Sequence, residues 1–384
     1  MKKLAQHFFA AAVCTLALNA CSILTDKDNT PHPSPLVDFK PEANVKSVWY
    51  KNAGHGSNGD YVKLNPSIAG NTIFTTSKNG FVAANDKITG KSIWQTNTEN
   101  TITGGTAVDD HLVYVGTRKG QIIALNQTDG KIVWKAMTPS EILAPTATKE
   151  GITVVKTIDG SVSAYNALHG ESLWHYQQTE PNLILRGGSA PKISGNSVVV
   201  GFANGTLTKL NLRKGGVQWE KTIAEPRGIF AIQRMVDIDA DPVVKGDRVY
   251  AATYQGRIAA LDLNSSRSFW TQDISSYTGI AVDDSQVYVS DARSRLWAFN
   301  TRNGTVNWQQ DKLTARVITG PIVMGNYIVV GDAEGYLHWM SKQDGHFIAR
   351  VFVNRSGILA TPIVDNNVLY VYTKNGRLAA YTLA

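Results

Sequence analysis

Val113-Tyr114-Val115-Gly116-Thr117, then Gly120, Ile122 to Asn126 and Gly130-Lys131-Ile132-Val133-Trp134: this stretch decides the fold. It reads as a hydrophobic strand, a turn around glycine, a second strand ending at asparagine, and a closing Gly-x-x-x-Trp. The same phrase recurs eight times along the 384-residue chain. Trp94, Trp134, Trp174, Trp219, Trp270 and Trp308 share one phase, four residues after Gly90, Gly130, Gly170, Gly215, Ser266 and Gly304. Spacing of roughly forty residues means one supersecondary unit repeated many times, and that overrides the domain count expected from length.

Each unit parses into four short strands. In the second these are Thr106 to Val108, Leu112 to Gly116, Gln121 to Leu125 and Ile132 to Trp134. Period-two alternation and turns such as Asp129-Gly130, Asn303-Gly304 and Asp344-Gly345 mark an antiparallel meander, the blade of a β-propeller. The eighth unit has three strands, near Thr361 to Val364, Leu369 to Thr373 and Gly376 to Tyr381, and lacks the Trp strand. The missing strand stands at the other end, as Val45-Lys46-Ser47-Val48-Trp49. If Trp49 completes the last blade, the ring closes without an open edge. The expected fold is all-β: an eight-bladed propeller of four-stranded antiparallel blades over residues 45–384, closed by an N-terminal strand. The recurrent Trp49, Trp94, Trp134, Trp174, Trp219, Trp270 and Trp308 are expected to fill the wedge between neighbouring blades, each N–H finding a backbone carbonyl. Blade seven departs from the pattern, because Ala349 follows Gly345 at the Trp position, and Trp339 is the candidate to repack there.

The start of the chain carries a different signal. Lys2-Lys3 precede the apolar run Leu4 to Leu18, too short for a comfortable membrane span, and residues 1–20 read as a signal peptide. Leu18-Asn19-Ala20-Cys21 resembles the bacterial lipobox, which makes Cys21 the expected lipidation site. The plain alternative is an ordinary signal peptide with a chance cysteine. Cys14 lies inside the signal, so the mature chain keeps one thiol, and modification would consume it. Ser22 follows Cys21, where Asp is the usual inner-membrane retention signal, so outer-membrane delivery on the periplasmic face is expected. Residues 21–44, with Pro31, Pro33, Pro35 and Pro41, read as the lipidated N-terminus and a flexible tether reaching roughly 25 to 60 Å.

Formal charge is +7, without a Lys or Arg run, so no nucleic-acid stripe is expected. The eight His are dispersed. Asp237-x-Asp239-x-Asp241 fails as a calcium loop, because Pro242 takes the glycine position and Arg248 the twelfth. No catalytic triad or phosphate-cradling glycine loop is found. The expectation is a non-enzymatic protein with no metal and no cofactor.

The repeat also serves as a ruler. Trp174 to Trp219 spans 45 residues and Trp219 to Trp270 spans 51, against 40 for the two preceding intervals. The surplus falls in 177–190 and 222–241, with a third expansion at 53–65, all between the last strand of one blade and the first of the next. Leu183-Ile184-Leu185-Arg186, Ile229-Phe230-Ala231-Ile232, Arg234 and Asp237-Ile238-Asp239 lie in the two larger loops. Two readings stand: a protein-binding patch, or aliphatic plugs over the channel with Arg186 pairing Asp237 or Asp239.

Two family resemblances bear on this choice. The Gly-Lys-x-x-Trp ending resembles the repeats of quinoprotein alcohol dehydrogenases, which would imply pyrroloquinoline quinone and Ca²⁺. The mature chain cannot form the adjacent-cysteine disulfide of those enzymes, and it lacks a Cys-x-x-Cys-His haem motif. Over its whole length the chain more closely resembles the BamB family of the outer-membrane β-barrel assembly (BAM) complex. Leu183-Ile184-Leu185-Arg186-Gly187, Arg234-Met235-Val236-Asp237-Ile238-Asp239 and Val330-Gly331-Asp332-Ala333-Glu334-Gly335-Tyr336-Leu337-His338-Trp339 carry that likeness. It implies a scaffold lipoprotein whose Leu183, Leu185, Arg186, Asp237 and Asp239 dock on the POTRA domains of BamA. Unfolded outer-membrane protein precursors are further candidate partners. Gly188 stands where the family pattern has an acidic residue, which puts the electrostatics around Arg186 in doubt. A ligand-sensing propeller using the channel mouth is the alternative, with the quinone dehydrogenase more remote.

Overall fold

A computed structural model describes residues 31–383; the expected signal peptide and Cys21 lie outside the described residues. Eight four-stranded sheets follow one another, each with its strands in consecutive antiparallel order except the last. Blade two shows the pattern: Ile102–Val108, Leu112–Thr117, Gln121–Asn126 and Ile132–Met137. Blade eight takes three strands from the C-terminal region and its fourth from Val45–Asn52, which pairs with Arg377–Leu383 from Val45↔Leu383 to Asn52↔Arg377. The ring therefore closes as expected.

Burial differs from simple alternation. The two middle strands of a blade are buried on both faces, as in Leu112–Thr117, because every sheet is sandwiched between two others. Only the outer strands alternate, as in Ile132–Met137. That sandwiching is why Val, Ile, Leu and Ala fill the middle strands without a polar partner at every second place.

The tryptophans work as couplings between blades. Each indole N–H donates to a carbonyl in the turn before the outer strand of the next blade: Trp49 to Lys87, Trp94 to Gln127, Trp134 to Ala167, Trp174 to Leu212, Trp219 to Leu263, Trp270 to Thr301 and Trp308 to Lys342, at 2.7–3.0 Å. The glycine of the repeat belongs to the same joint. A Cβ at Gly130 (φ +70°) would meet the Trp94 ring at 2.4 Å, so the turn must be both left-handed and bare. The Gly-x-x-x-Trp phrase thus holds the socket for the preceding tryptophan and the plug for the following one.

Blade seven breaks this chain for a topological reason. In blade one Trp94 on the outer strand faces Ala84 on the third; in blade seven Ala349 on the outer strand faces Trp339 on the third. Large and small have changed places across the pair. An outer-strand Trp here would need a hairpin turn between the third and fourth strands of blade eight. Those strands are Arg377–Leu383 and Val45–Asn52, which are not consecutive in sequence, so no such turn joins them. Trp339 instead lies fully buried between blades seven and eight with Leu369, Val371, Ala379 and Tyr381.

One expectation requires correction. The segment read as a flexible tether through residue 44 is bound to the ring from Ser34 onward. Val37 and Phe39 pack against the apolar cluster that contains Phe347, and Ala43 against the one that contains Trp339. A proline-rich composition had suggested solvation, but its few apolar residues find cover on blade seven.

Candidate functional site

The three expanded loops converge at one mouth of the central channel. Gly59 to Lys63, Leu185 to Gly187 and Asp239 line a cavity of about 990 Å³ there, together with Tyr254 and Tyr277. Their meeting follows from the ruler: each loop joins an outer strand to the next inner one, and such connections all emerge on one face.

Asp237, Asp239 and Asp241 alternate along an extended segment, so their carboxylates share one side. Each accepts a backbone N–H from the neighbouring loop at 2.7 Å: Leu185 to Asp237, Gly188 to Asp239 and Ala190 to Asp241. The intervening Ile238 points the other way into the core, where it fills the space a side chain at Gly201 would need. The Asp-x-Asp-x-Asp motif is a clamp that fixes the course of the Leu183–Ala190 stretch. Gly187 lies so close to the Asp239 carboxylate that a Cβ would sit 2.5 Å from its carbon. Gly188 adopts φ +86°, which explains why glycine serves where an acidic side chain had seemed the better fit.

Burial sets the charge state of the clamp. Asp237 is 1% exposed, and its second carboxylate oxygen has no hydrogen-bond partner. Desolvation, reinforced by Asp239 nearby, pushes its pKa up to about 7. Burial also raises Asp239, against the pull of Lys63. Lys63 is pushed down by burial and donates to the Tyr277 carbonyl at 2.8 Å.

Arg186 pairs with neither aspartate. Its guanidinium reaches Glu141 at 2.6 Å, and Arg118 approaches the same carboxylate at 3.6 Å. Sequence reasoning missed Glu141; it lies in the short loop after blade two and carries no motif. The five expected site residues therefore occupy one neighbourhood in two layers. Leu183 (44% exposed) and Arg186 face outward, Leu185 is half-buried between mouth and clamp, and Asp237 and Asp239 lie beneath.

The aliphatic side chains divide in the same way. Met235, Val236 and Ile238 fold inward as plugs. Ile229, Phe230 and Ile232 stay outside, with Ile229 at 90% and Phe230 at 66% exposure. A 3₁₀ turn, Ala231–Arg234, displays them, and the Gln233 side chain accepts the N–H groups of Ile229 and Phe230. Gln255 ties down the Ile232 carbonyl. This apolar patch is held in shape by hydrogen bonds rather than by a core of its own.

A family model described as outer membrane protein assembly factor BamB matches residues 78–310. The chain is 46% identical over 373 residues to the outer membrane protein assembly factor BamB of Pseudomonas aeruginosa, covering 97% of this chain and 98% of that one. The crystal structure of BamB from Moraxella catarrhalis superposes with a TM-score of 0.82 at 27% identity, over 88% of this chain and all of that one. A quinohemoprotein alcohol dehydrogenase from Comamonas testosteroni reaches 0.70 at 13% identity, over 88% and 76%, a likeness of fold alone. The residues here do not suit a stacked quinone. The seven coupling tryptophans sit in the seams, and none lines either channel cavity. Among the described residues, no group of three or more His, Cys, Asp or Glu is arranged to hold a metal ion.

Proposed function

The chain belongs to the outer membrane protein assembly factor BamB family, and from that membership we propose that it is a non-enzymatic scaffold docking on the POTRA domains of BamA. It assists the folding and insertion of outer-membrane proteins by holding those domains, with unfolded precursors as further partners. Lipid attached at Cys21 anchors it in the outer membrane, facing the periplasm. The observation that carries this reading is the set of apolar side chains that two consecutive expanded loops leave in water, Leu183 on the first and Ile229, Phe230 and Ile232 on the second, with Arg186 also exposed on the first. Large apolar side chains held in water on ordered loops have no folding purpose, and they match the desolvated anchors of protein interfaces.

The roles divide by depth. Leu183, Leu185 and Arg186 contact the partner, whereas Asp237 and Asp239 act on the loop through its backbone N–H groups. Capture by isolated POTRA domains tests this. Leu183→Asp and Phe230→Asp are each expected to weaken capture at least tenfold, about 1.4 kcal/mol, with thermal stability unchanged. Arg186→Ala is expected to weaken it less. Undiminished capture by both apolar variants would sink the proposal.

A second reading has one observation in its favour. The mouth cavity places Tyr61, Tyr254 and Tyr277 beside Lys63, Lys78 and Arg118, a lining suited to an anionic or sugar-like ligand. Melting-temperature shifts with anionic oligosaccharides would expose such a sensor; a flat response across the panel disposes of it.

A further inference from the structure

Blade seven holds a buried charged network that the docking surface does not use. Asp332 is fully buried and accepts from Arg316 Nε at 2.7 Å. His338, also fully buried, lies with Nε2 at 2.9 Å from the same carboxylate oxygen. Arg350 Nε donates to His338 Nδ1 at 3.2 Å. An arginine can only donate, so Nδ1 is the acceptor, Nε2 carries the proton, and the imidazole is neutral. Burial, with Arg350 and Arg316 beside it, pushes His338 down, in keeping with that tautomer.

The two guanidiniums do not stop inside the blade. Arg316 Nη1 donates to the Ser34 carbonyl at 2.8 Å, and Arg350 Nη1 to the Val37 carbonyl at 3.0 Å. Ser34 donates in return to the Thr314 carbonyl through its N–H and its hydroxyl, and the Glu42 N–H donates to Ile348. The Phe39 ring stacks on Phe347 at 5.4 Å, with the Arg350 guanidinium 5.0 Å from one ring and 5.2 Å from the other. Hydrogen bonds, ring stacking and apolar cover all act on one stretch of ten residues.

We infer that residues 34–43 are a docked strap and that blade seven is built as its receptor. The strap therefore meets the ring at blade seven. In the sequence, twelve residues, 22–33, separate Cys21 from the strap. Twelve residues reach about 20 Å as a coil and about 40 Å extended, which shortens the span expected for the whole N-terminal segment. The consequence for membrane distance rests on the lipid-anchor reading; the strap itself does not.

The strap can be tested on the chain beginning at Ser22, which contains no cysteine, so that Lys40→Cys and Gln343→Cys accept spin labels cleanly. Pulsed electron–electron resonance is expected to give one narrow distance distribution. Phe39→Ala, which alters only the strap, should broaden it, as should Arg350→Gln on the receptor side. Leu183→Asp should leave it untouched. A broad distribution in the parent chain, or one insensitive to Phe39→Ala, overturns the strap. Membrane retention of the chain carrying Cys21 is measured separately. Its loss with a narrow distance overturns only the anchor reading, and its presence with a broad distance overturns only the strap.

Discussion

Two parts of the ring hold an irregular segment against regular blades, and they do so with opposite charge. At the channel-mouth loops, three carboxylates grip backbone N–H groups of Leu185, Gly188 and Ala190. At blade seven, two guanidiniums grip the carbonyls of Ser34 and Val37. The backbone offers both handles, so either sign of charge can pin a segment that has no sheet partner. Arginine stays charged at any ordinary pH, whereas a buried carboxylate can be neutralised. The clamp under the channel-mouth loops is therefore sensitive to pH in a way that the strap's arginines are not.

The largest expected effect comes from Asp237. Its pKa rises from 3.8 to about 7 on folding, so the folded chain keeps a proton that the unfolded chain has lost in this window. Stability from this group is full below pH 3.8 and falls as pH rises to about 7, by about 4 kcal/mol at about 1.4 kcal/mol per tenfold. Asp237→Asn keeps an acceptor for Leu185 and removes the titration. Urea unfolding at pH 5 and pH 8 should show a smaller difference for the variant; equal differences would mean that Asp237 is ionised throughout.

A smaller change is expected on the arginine side. Arg350→Met removes charge-assisted bonds to His338 and Val37 and costs about 1.5–3 kcal/mol in the same assay, with little dependence on pH between 5 and 8. If the cost instead follows pH as steeply as in the parent chain's clamp, the contrast between the two sites collapses. The smallest stability effect belongs to Leu183→Asp, within about 0.5 kcal/mol, because that side chain is half in water. Its melting temperature should match the parent while POTRA capture falls, separating display from fold.

Legibility in the sequence followed the same division. Blade count, ring closure and the Trp couplings could be read because a repeat states its own rules eight times over, and one broken copy shows where the ring joins. The overlong intervals after Trp174 and Trp219 marked, for the same reason, loops that meet at the channel mouth. Pairings inside those loops could not be read. Arg186 was offered Asp237 or Asp239 and took Glu141, a residue 45 positions away on another loop. Asp237-x-Asp239-x-Asp241 was weighed as a metal loop and is a backbone clamp, since i, i+2, i+4 spacing looks alike for either use. The aliphatic residues divide in a way the sequence did not show, with Ile238 buried in the core between blades and Ile229 left in water.

Blade seven marks the boundary most clearly. The absent tryptophan at Ala349 was visible in sequence, but its cause was not. That cause is the missing hairpin between non-consecutive strands, a property of topology rather than of residues. The strap was hidden for a related reason: prolines and polar residues predict solvation, and only a folded blade can offer Arg316, Arg350 and Phe347 together. By itself the sequence determined the architecture, because periodic burial depends on local pattern repeated along the chain. Tertiary structure alone decided which buried charge holds which loop, because those partners meet only after the ring has closed.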